Sequence, residues 1–333
     1  VRLLIVVGIG LTVGLAVALV ADGPAVFAGI SRLPISSAAI ALALSGFSWL
    51  CQGVGFAALT DRGVRGSLIP MTRAFLGGDF PALVTPFGSG GVPGGIFALT
   101  REGLSFGEAS AIIAMHTLLT GAFFVLVGLV AAFALPIRGA HSAVLVWAGF
   151  GGILAVVALI VWVVLHPARA TSSLKRLLSG RLAVRVLGIE RRDRIMSAAE
   201  REAAQFAVSV TALTKERPSA IVLSFAGLAA SRLLLIATLP VIMFGLGWRG
   251  DVFPLLATAV GAMALAIASP TPGGSGAVEV ALSALLATQT SAPIAAAATL
   301  LWRGITYYTE LLAGWAVFSN YLFGSSRAHR KMR

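Results

Sequence analysis

Apolar residues run along this chain in stretches of membrane-spanning length, separated by short polar or basic segments. A transmembrane helix needs about 20 mostly apolar residues, and the pattern predicts an all-α polytopic membrane protein with about eight membrane segments. A short loop holding Asp22 and Arg32 is expected between the first two. The predicted segments are Leu3–Ala21, Ser36–Thr60, Phe80–Thr100, Ala109–Leu135, Val144–Leu165, Pro218–Trp248, Val252–Ala268 followed by Ala277–Thr288, and Pro293–Phe323.

Two glycine- and proline-rich breaks interrupt the apolar sequence at corresponding places in the two halves. Proline ends or kinks a helix, and non-helical backbone survives at membrane depth only inside protein or beside a water-filled cavity. Phe80–Thr100 is therefore predicted to be a re-entrant hairpin, and 269–279 a second broken segment. The backbone positions expected to matter are Pro86, Gly88, Gly90, Gly91, Pro93, Gly94, Gly95, Pro270, Pro272, Gly273, Gly274 and Gly276.

The order of spans and breaks predicts an inverted-topology repeat. The first half reads as an inward helix, a broken segment and an outward helix; the second half has the same order with the directions reversed. Transporters built this way place their site at the repeat interface, close to the bilayer midplane. The clearest overlap between the halves at the level of residues is Pro93-Gly94-Gly95 with Pro272-Gly273-Gly274.

Charge sets the expected orientation and domain division. The chain is 58% hydrophobic and 11% charged, with 25 Lys and Arg against 13 Asp and Glu, which is too little polar surface for a soluble protein of this size. Basic residues gather in cytoplasmic loops and face anionic lipid, so 61–73, 167–217 and 324–333 are predicted to be cytoplasmic in a cytoplasmic (inner) membrane, with both termini inside. The membrane halves are then 1–166 and 218–323. No basic stripe interleaves with aromatic residues, which argues against nucleic-acid binding.

The long polar loop contains an amphipathic helix. Within 167–217, eleven basic and five acidic residues give a net charge of +6. Apolar residues recur there at helical steps: Ile195, Ala199, Ala203, Phe206, Val210 and Leu213. Such a helix lies on the membrane surface or on the protein's own cytoplasmic face, or it binds a partner or a second copy of the chain. The sequence leaves these alternatives open.

Four charges and a histidine fall within apolar sequence: His116, Arg232, Glu279, Arg303 and Glu310. Charges inside a membrane need partners or water and commonly mark transport paths. These five residues are the candidate substrate-binding residues. Glu279 lies where a helix begins after the second break, so it is expected to serve in part as a cap and to pair with Arg303 in the following helix. Arg303 and Arg232 suit a lipid phosphate because guanidinium forks match phosphate oxygens. His116 is expected to be a packed histidine more readily than a proton relay.

Other residues receive more ordinary interpretations. Asp79, Arg73, Arg101 and Glu102 flank the first break and are interpreted as interfacial anchors. The glycines of both breaks either expose backbone N–H groups to an anion or serve only close helix packing. No metal-binding motif, P-loop or nucleophile elbow occurs, so neither an enzyme activity nor a metal or other cofactor is predicted.

The second break carries a recognisable pattern. Thr271-Pro272-Gly273-Gly274-Ser275-Gly276-Ala277-Val278-Glu279, followed by Arg303, resembles the membrane region of lysylphosphatidylglycerol synthases and their stand-alone relatives, whose pattern is Thr-Pro-Gly-Gly-x-Gly-x-x-Glu and then Arg. Thr85-Pro86, Gly90-Gly91 and Ala98–Ser105 are similar to the first half of that family. Ser275 stands where relatives often have a larger apolar residue.

The resemblance implies a lipid-handling protein. In two-domain members the membrane region moves aminoacylated phosphatidylglycerol between leaflets, while a separate soluble domain makes that lipid from aminoacyl-tRNA. Stand-alone relatives have been associated with polyprenyl-phosphate-linked glycolipids. We therefore expect a flippase without the synthase domain. The alternatives are an ion-coupled transporter of a small soluble solute and a membrane adaptor that binds a soluble enzyme through the helix at 190–216.

Overall fold

The computed structural model describes residues 19–60, 64–134 and 204–330, together with residues 12, 16, 201 and 202. Every regular element in these ranges is helical. In chain order the helices are α1 Gly23–Ser31, α2 Ile35–Leu59, α3 Val64–Leu83, α4 Gly91–Arg101, α5 Phe106–Ala134, α6 Pro218–Gly245, α7 Val252–Ala268, α8 Ala277–Ala287, α9 Ala292–Arg303 and α10 Thr309–Arg330.

Three of these helices are long and apolar enough to cross a membrane: α2, the Phe106–Gly128 part of α5, and α6. They match the predicted spans at 36–60, 109–135 and 218–248. Together with the apolar composition they make this a multi-pass membrane protein. The predicted span Val144–Leu165 lies outside the described residues, as do nearly all of Leu3–Ala21 and residues 167–200 of the polar loop.

Within the described residues, a series of five elements occurs in the same order in each half. In each, a long helix (α2, α6) precedes a second helix (α3, α7), a single 3-10 turn (Pro86–Gly88, Pro272–Gly274), an 11-residue helix (α4, α8) and a further helix (α5, α9). A π-helical turn, Gly304–Tyr308, then joins α9 to α10. The predicted single span Pro293–Phe323 is thus one continuous helical stretch that contains a π turn.

The basic stretch 61–73 is not a loop beyond residue 63, because α3 begins at Val64. The arginines lower the hydropathy of this segment, and for that reason the hydropathy pattern does not predict a helix here. Arg73 is half exposed, lies over the Tyr321 ring and approaches Glu102 at 3.8 Å, so its charge stays at the surface while the helix packs inward. Glycine permits that packing, since a Cβ on Gly78 would lie 2.7 Å from the Cα of Gly95 in α4.

Residues 23–31, predicted as part of a loop, form helix α1. Its buried Val26 packs against Ala296 and Ala297 of α9. Small residues on α9 give α1 room to lie against it, and this contact stabilises a helix of only nine residues that would not persist alone in water.

The end of the amphipathic segment packs on the protein itself. Val210 and Leu213 are buried, and the backbone N–H of Gly107 donates to Oε2 of Glu202 at 2.7 Å. Residues 204–211 are helical and continue into the π turn Ala212–Glu216. Of the predicted positions, Ile195 and Ala199 lie outside the described residues, as does Ala203. Val210 and Leu213 are therefore buried against the protein itself.

Candidate functional site

The two breaks are built from the same six-residue pattern. Thr85-Pro86-Phe87-Gly88-Ser89-Gly90 and Thr271-Pro272-Gly273-Gly274-Ser275-Gly276 differ at the third residue only. In both, an extended threonine precedes a proline that opens a 3-10 turn, and the next two residues have positive φ. The overlap predicted between Pro93-Gly94-Gly95 and Pro272-Gly273-Gly274 is wrong by seven positions along the chain, because residues 93–95 already lie inside α4.

The two turns touch. The backbone N–H of Phe87 donates to the carbonyl oxygen of Ser269 at 3.1 Å, which joins the first break to the second. Within the first break, Thr85 Oγ1 accepts from the N–H of Gly90 at 2.8 Å and donates to the carbonyl of Pro81 at 2.7 Å. Side chains therefore satisfy part of the backbone that the helices leave open, as the interior of a membrane protein requires.

A cavity of about 360 Å³ lies where the breaks meet. Both halves of the chain line it, from α3, α4 and α5 on one side to α6, α7 and the α9–α10 junction on the other. The polar side chains that it exposes include two acids, two arginines, a histidine and a tyrosine: Asp79, His116, Arg232, Arg303, Tyr307 and Glu310. Of the predicted backbone positions, four line the cavity: Gly88, Gly91, Gly95 and Gly273.

Glu279 and Arg303 form the buried ion pair that the sequence suggested. The Nε of Arg303 donates to Oε1 of Glu279 at 2.8 Å, and the two side chains are 4% and 1% exposed respectively. Oε2 of Glu279 accepts from the N–H of Gly276 at 2.7 Å, so the carboxylate also caps α8. Both interpretations of Glu279, cap and ion pair, are therefore correct. Glu279 lies behind Arg303 and outside the cavity lining.

Arg303 reaches from this pair into the cavity. Its Nη2 donates to the carbonyl of Gly273 at 3.0 Å, and its guanidinium carbon lies 4.0 Å from the centre of the Tyr307 ring. Nη1 has no hydrogen-bond partner among the described residues. The fork is thus fixed by Glu279, Gly273 and Tyr307, with one nitrogen left for a ligand.

Tyr307 locks the second break against the first half. Its hydroxyl donates to the carbonyl of Leu83 at 3.1 Å, just before the first break. Its ring covers Gly273 so closely that a Cβ on that residue would lie 2.2 Å from the ring. Nothing in the sequence pattern singled out Tyr307, because its role depends on contacts between residues more than 200 positions apart.

Asp79 is not an interfacial anchor. It lines the cavity together with Glu310 and Arg232. Glycine contacts bring the two helices together here, since a Cβ on Gly314 of α10 would lie 2.6 Å from the carbonyl oxygen of Leu76 in α3. Because the arginine-rich stretch before it continues as a helix from residue 64, Asp79 lies within α3, on the side that lines the cavity.

His116 and Arg232 bring unsatisfied nitrogens to this region. The His116 ring stands edge-on to Phe56 with centroids 4.7 Å apart, and its buried Nδ1 has no partner. The buried Nε of Arg232 likewise lacks a partner. A packed histidine was expected. The ring of His116 packs against Phe56, and the residue also lines the cavity.

Most break glycines serve backbone conformation or packing. Gly88, Gly273, Gly274 and Gly276 have positive φ. A Cβ on Gly94 would lie 2.6 Å from the carbonyl oxygen of Gly78.

The other predicted anchors lie away from the cavity: Arg101 lies over the Phe97 ring, and Glu102 accepts a hydrogen bond from Tyr321 at 2.5 Å.

One side of the cavity is apolar and open. Phe87, Val92 and Ile267 line it and are each more than half exposed: 60%, 51% and 51%. Bulky apolar side chains exposed beside a polar cavity suit contact with lipid chains. Within the described residues, no group of three or more His, Cys, Asp or Glu side chains could hold a metal ion.

Comparison with known proteins identifies a family for this chain. The family model of the lysylphosphatidylglycerol synthase TM region matches residues 5–314. Neither the curated proteins nor the solved structures yielded a match. The matched range contains both breaks, the cavity and the Glu279–Arg303 pair. This chain therefore belongs to the family of the lysylphosphatidylglycerol synthase transmembrane region.

Proposed function

We propose that this protein is a lipid translocase, a flippase that moves a phosphate-bearing lipid between the leaflets of the cytoplasmic membrane. The observation that carries the proposal is the arginine-lined cavity at the junction of the two breaks. Ligand pockets range from about 300 to 1,000 Å³, so this cavity suits a headgroup. The acyl or prenyl chains would stay in the bilayer beside Phe87, Val92 and Ile267.

Arg232 and Arg303 are the proposed phosphate ligands. Arg303 offers Nη1 from a fork that the protein already holds, and Arg232 has an unpartnered Nε. Pre-organised guanidinium groups bind phosphate with little ordering cost. Glu279 is then a positioning residue that orients Arg303. Candidate substrates are aminoacyl-phosphatidylglycerol and polyprenyl-phosphate-linked lipids, which share the phosphate.

The proposed transport mechanism is alternating access within an inverted-topology repeat. The identical element order and the matching six-residue breaks support a repeat, and the positive-inside rule supports opposite directions for its halves. In this proposal both termini are cytoplasmic, and the two halves rock about the contact between Phe87 and Ser269. The basic segments face the anionic inner leaflet. The proposal includes no enzymatic step.

The test is a flip assay with purified protein in phosphatidylcholine proteoliposomes. Fluorescent phosphatidylglycerol, lysyl-phosphatidylglycerol and a short polyprenyl phosphate are compared for wild type, Arg232→Gln and the exposed control Arg249→Gln. We expect movement of at least one lipid, lost in Arg232→Gln and retained in the control. Movement that is equal in wild type and Arg232→Gln would contradict the proposed phosphate site.

No movement of any of the three lipids would contradict the lipid function. Uptake of a soluble solute by the same vesicles would then favour an ion-coupled transporter. Loss of cellular function on deletion of 190–216, with lipid movement intact, would favour the adaptor.

A further inference from the structure

Among the described residues, the cavity and the ion pair behind it together hold one more negative than positive side-chain charge. Asp79, Glu279 and Glu310 supply three carboxyl groups, while Arg232 and Arg303 supply two guanidinium groups. Glu279 and Arg303 neutralise each other in their buried pair. Asp79 and Glu310 are left to share Arg232. An uncompensated charge inside a membrane protein is costly, so this excess calls for a proton or a cation.

The two carboxyl groups are held together by the packing of their helices. Helices α3 and α10 approach so closely around Gly314 that a side chain there would collide with Leu76 and Phe80. Asp79 and Glu310 both line the cavity near this crossing, and Arg232 lines it with them. Two carboxylates beside one guanidinium leave one negative charge uncompensated, which favours the protonated form of one carboxyl group.

Few other charged or titratable groups face the pair. Of the described residues in the cavity lining, Arg232 comes from α6 and His116 from α5; Arg303 and Tyr307 come from α9 and the π turn. Helix α2 contributes no charged residue. Elsewhere on the helices packed against the pair, Arg73 on α3 and Arg101 on α4 are held by Tyr321, Glu102 and Phe97 away from the cavity.

We propose that Asp79 and Glu310 form a proton site that couples this cavity to proton movement. Without a ligand the pair holds one proton and Arg232 balances its remaining negative charge. When an anionic phosphate binds Arg232, the pair loses this counter-charge and takes up a second proton from water. When the phosphate leaves, Arg232 returns to the carboxyl groups and the second proton is released. The inference rests on the proposed function only for the identity of the anion. By thermodynamic linkage, the proton and the anion strengthen each other's binding by the same factor.

The first arm of the test needs no lipid. Infrared spectra of the purified full chain in detergent at neutral pH are recorded for wild type, Asp79→Asn, Glu310→Gln and the double variant. The exposed Glu216 supplies the matched control, Glu216→Gln. We expect the carbonyl band of a protonated carboxylic acid in wild type and in the control, and its loss in the double variant. Absence of this band in wild type, or its persistence in the double variant, overturns the proton site.

The two single variants guard against misfolding. Both amides keep the shape of the acid they replace, and size-exclusion chromatography with thermal melting verifies each protein. If the double variant does not fold, the band is read from whichever single variant does. A band that neither replacement alters belongs to another residue and also overturns the proposal.

The second arm measures coupling. Wild-type proteoliposomes with fluorescent phosphatidylglycerol are given a pH gradient of either polarity, or a sodium gradient at equal pH on both sides. A gradient of one pH unit is a tenfold difference in proton concentration. We therefore expect one polarity of the gradient to increase the rate of lipid movement by up to about tenfold in wild type. The double variant should show no increase. If the rate of lipid movement in wild type does not depend on the pH gradient, or depends only on the sodium gradient, the proposed proton coupling is wrong. The proposed lipid function would still stand. If no lipid moves, the proposed function fails, and the infrared arm still decides the proton site.

Discussion

Phe87 and Gly273 share one backbone conformation, with φ 54° and ψ 21° in the first residue and φ 56° and ψ 19° in the second. They occupy the third position of the two matching breaks. This left-handed region costs a residue with a side chain roughly 1–2 kcal/mol and costs glycine almost nothing. The two halves therefore use the same turn with different side chains: Phe87 projects at the open side of the cavity, while Gly273 leaves room for the Tyr307 ring.

Replacing Gly273 should damage the site severely. Gly273→Ala adds the left-handed penalty and a Cβ that overlaps the Tyr307 ring, so we expect a loss of stability above about 2 kcal/mol. Tryptophan-fluorescence melting in detergent measures it. Gly261→Ala is the control, because a Cβ there meets nothing within 4 Å. Equal melting of the two variants would show that Tyr307 does not constrain the turn.

Replacing Phe87 should affect lipid movement more than stability. Phe87→Gly relieves the left-handed strain and removes a side chain that is mostly exposed, so we expect unchanged or higher thermal stability. The apolar side of the cavity is widened, so the rate of lipid movement should change in the flip assay. Val92→Ala keeps the turn while trimming the same side, and it serves as the comparison. A large fall in the melting temperature of Phe87→Gly would mean that the phenyl ring is a packing element.

The Glu279–Arg303 pair should behave as a unit. Removing one partner of a buried pair leaves an unpaired charge and costs about 3–5 kcal/mol. We expect Glu279→Gln and Arg303→Met each to lower the melting temperature strongly, and the double variant to be less destabilised than the sum of the two. A double-mutant cycle on thermal or denaturant unfolding measures the coupling. Additive effects would indicate that the 2.8 Å contact contributes little.

Arg232 should matter for transport more than for folding. Its Nε has no protein partner, and the acids beside it can take up protons when the guanidinium is lost. We expect Arg232→Gln to melt close to wild type and to slow lipid movement at least tenfold, a loss of about 1.4 kcal/mol or more in transition-state stabilisation. Arg249→Gln should keep wild-type rates. A strongly destabilised Arg232→Gln would place this arginine in the structural framework.

Orientation can be tested through the single cysteine. Helix α6 is about 42 Å long at 1.5 Å per residue. Lys215 lies just before its first residue. Trp248 lies just after its last residue and donates a hydrogen bond to the carbonyl of Gln289, so the segment around Gln289 is at the opposite end of α6 from Lys215. In a Cys51→Ala background, Lys215→Cys should react with a membrane-impermeant thiol reagent only from the cytoplasm. Ser291→Cys should react only from outside. The reverse pattern would invert the proposed topology.

The sequence by itself determined the features that local pattern encodes. Apolar runs placed α2, α5 and α6 within a few residues, because a membrane span is a continuous local signal. Gly- and Pro-rich composition marked both breaks. The short separation of Glu279 and Arg303, with a glycine-rich turn before them, was enough to suggest their pairing.

Only the tertiary structure decided which distant residues share the cavity. The register of the two breaks, the place of Asp79 beside Glu310, and the ring of Tyr307 over Gly273 all depend on contacts between the halves, which no local periodicity encodes. Arg73 lowered the apparent hydropathy of α3, although its partners are Glu102, just after α4, and Tyr321 on α10. Helix formation depends on near neighbours along the chain, whereas a charge inside a membrane is stabilised by partners that only the fold brings close.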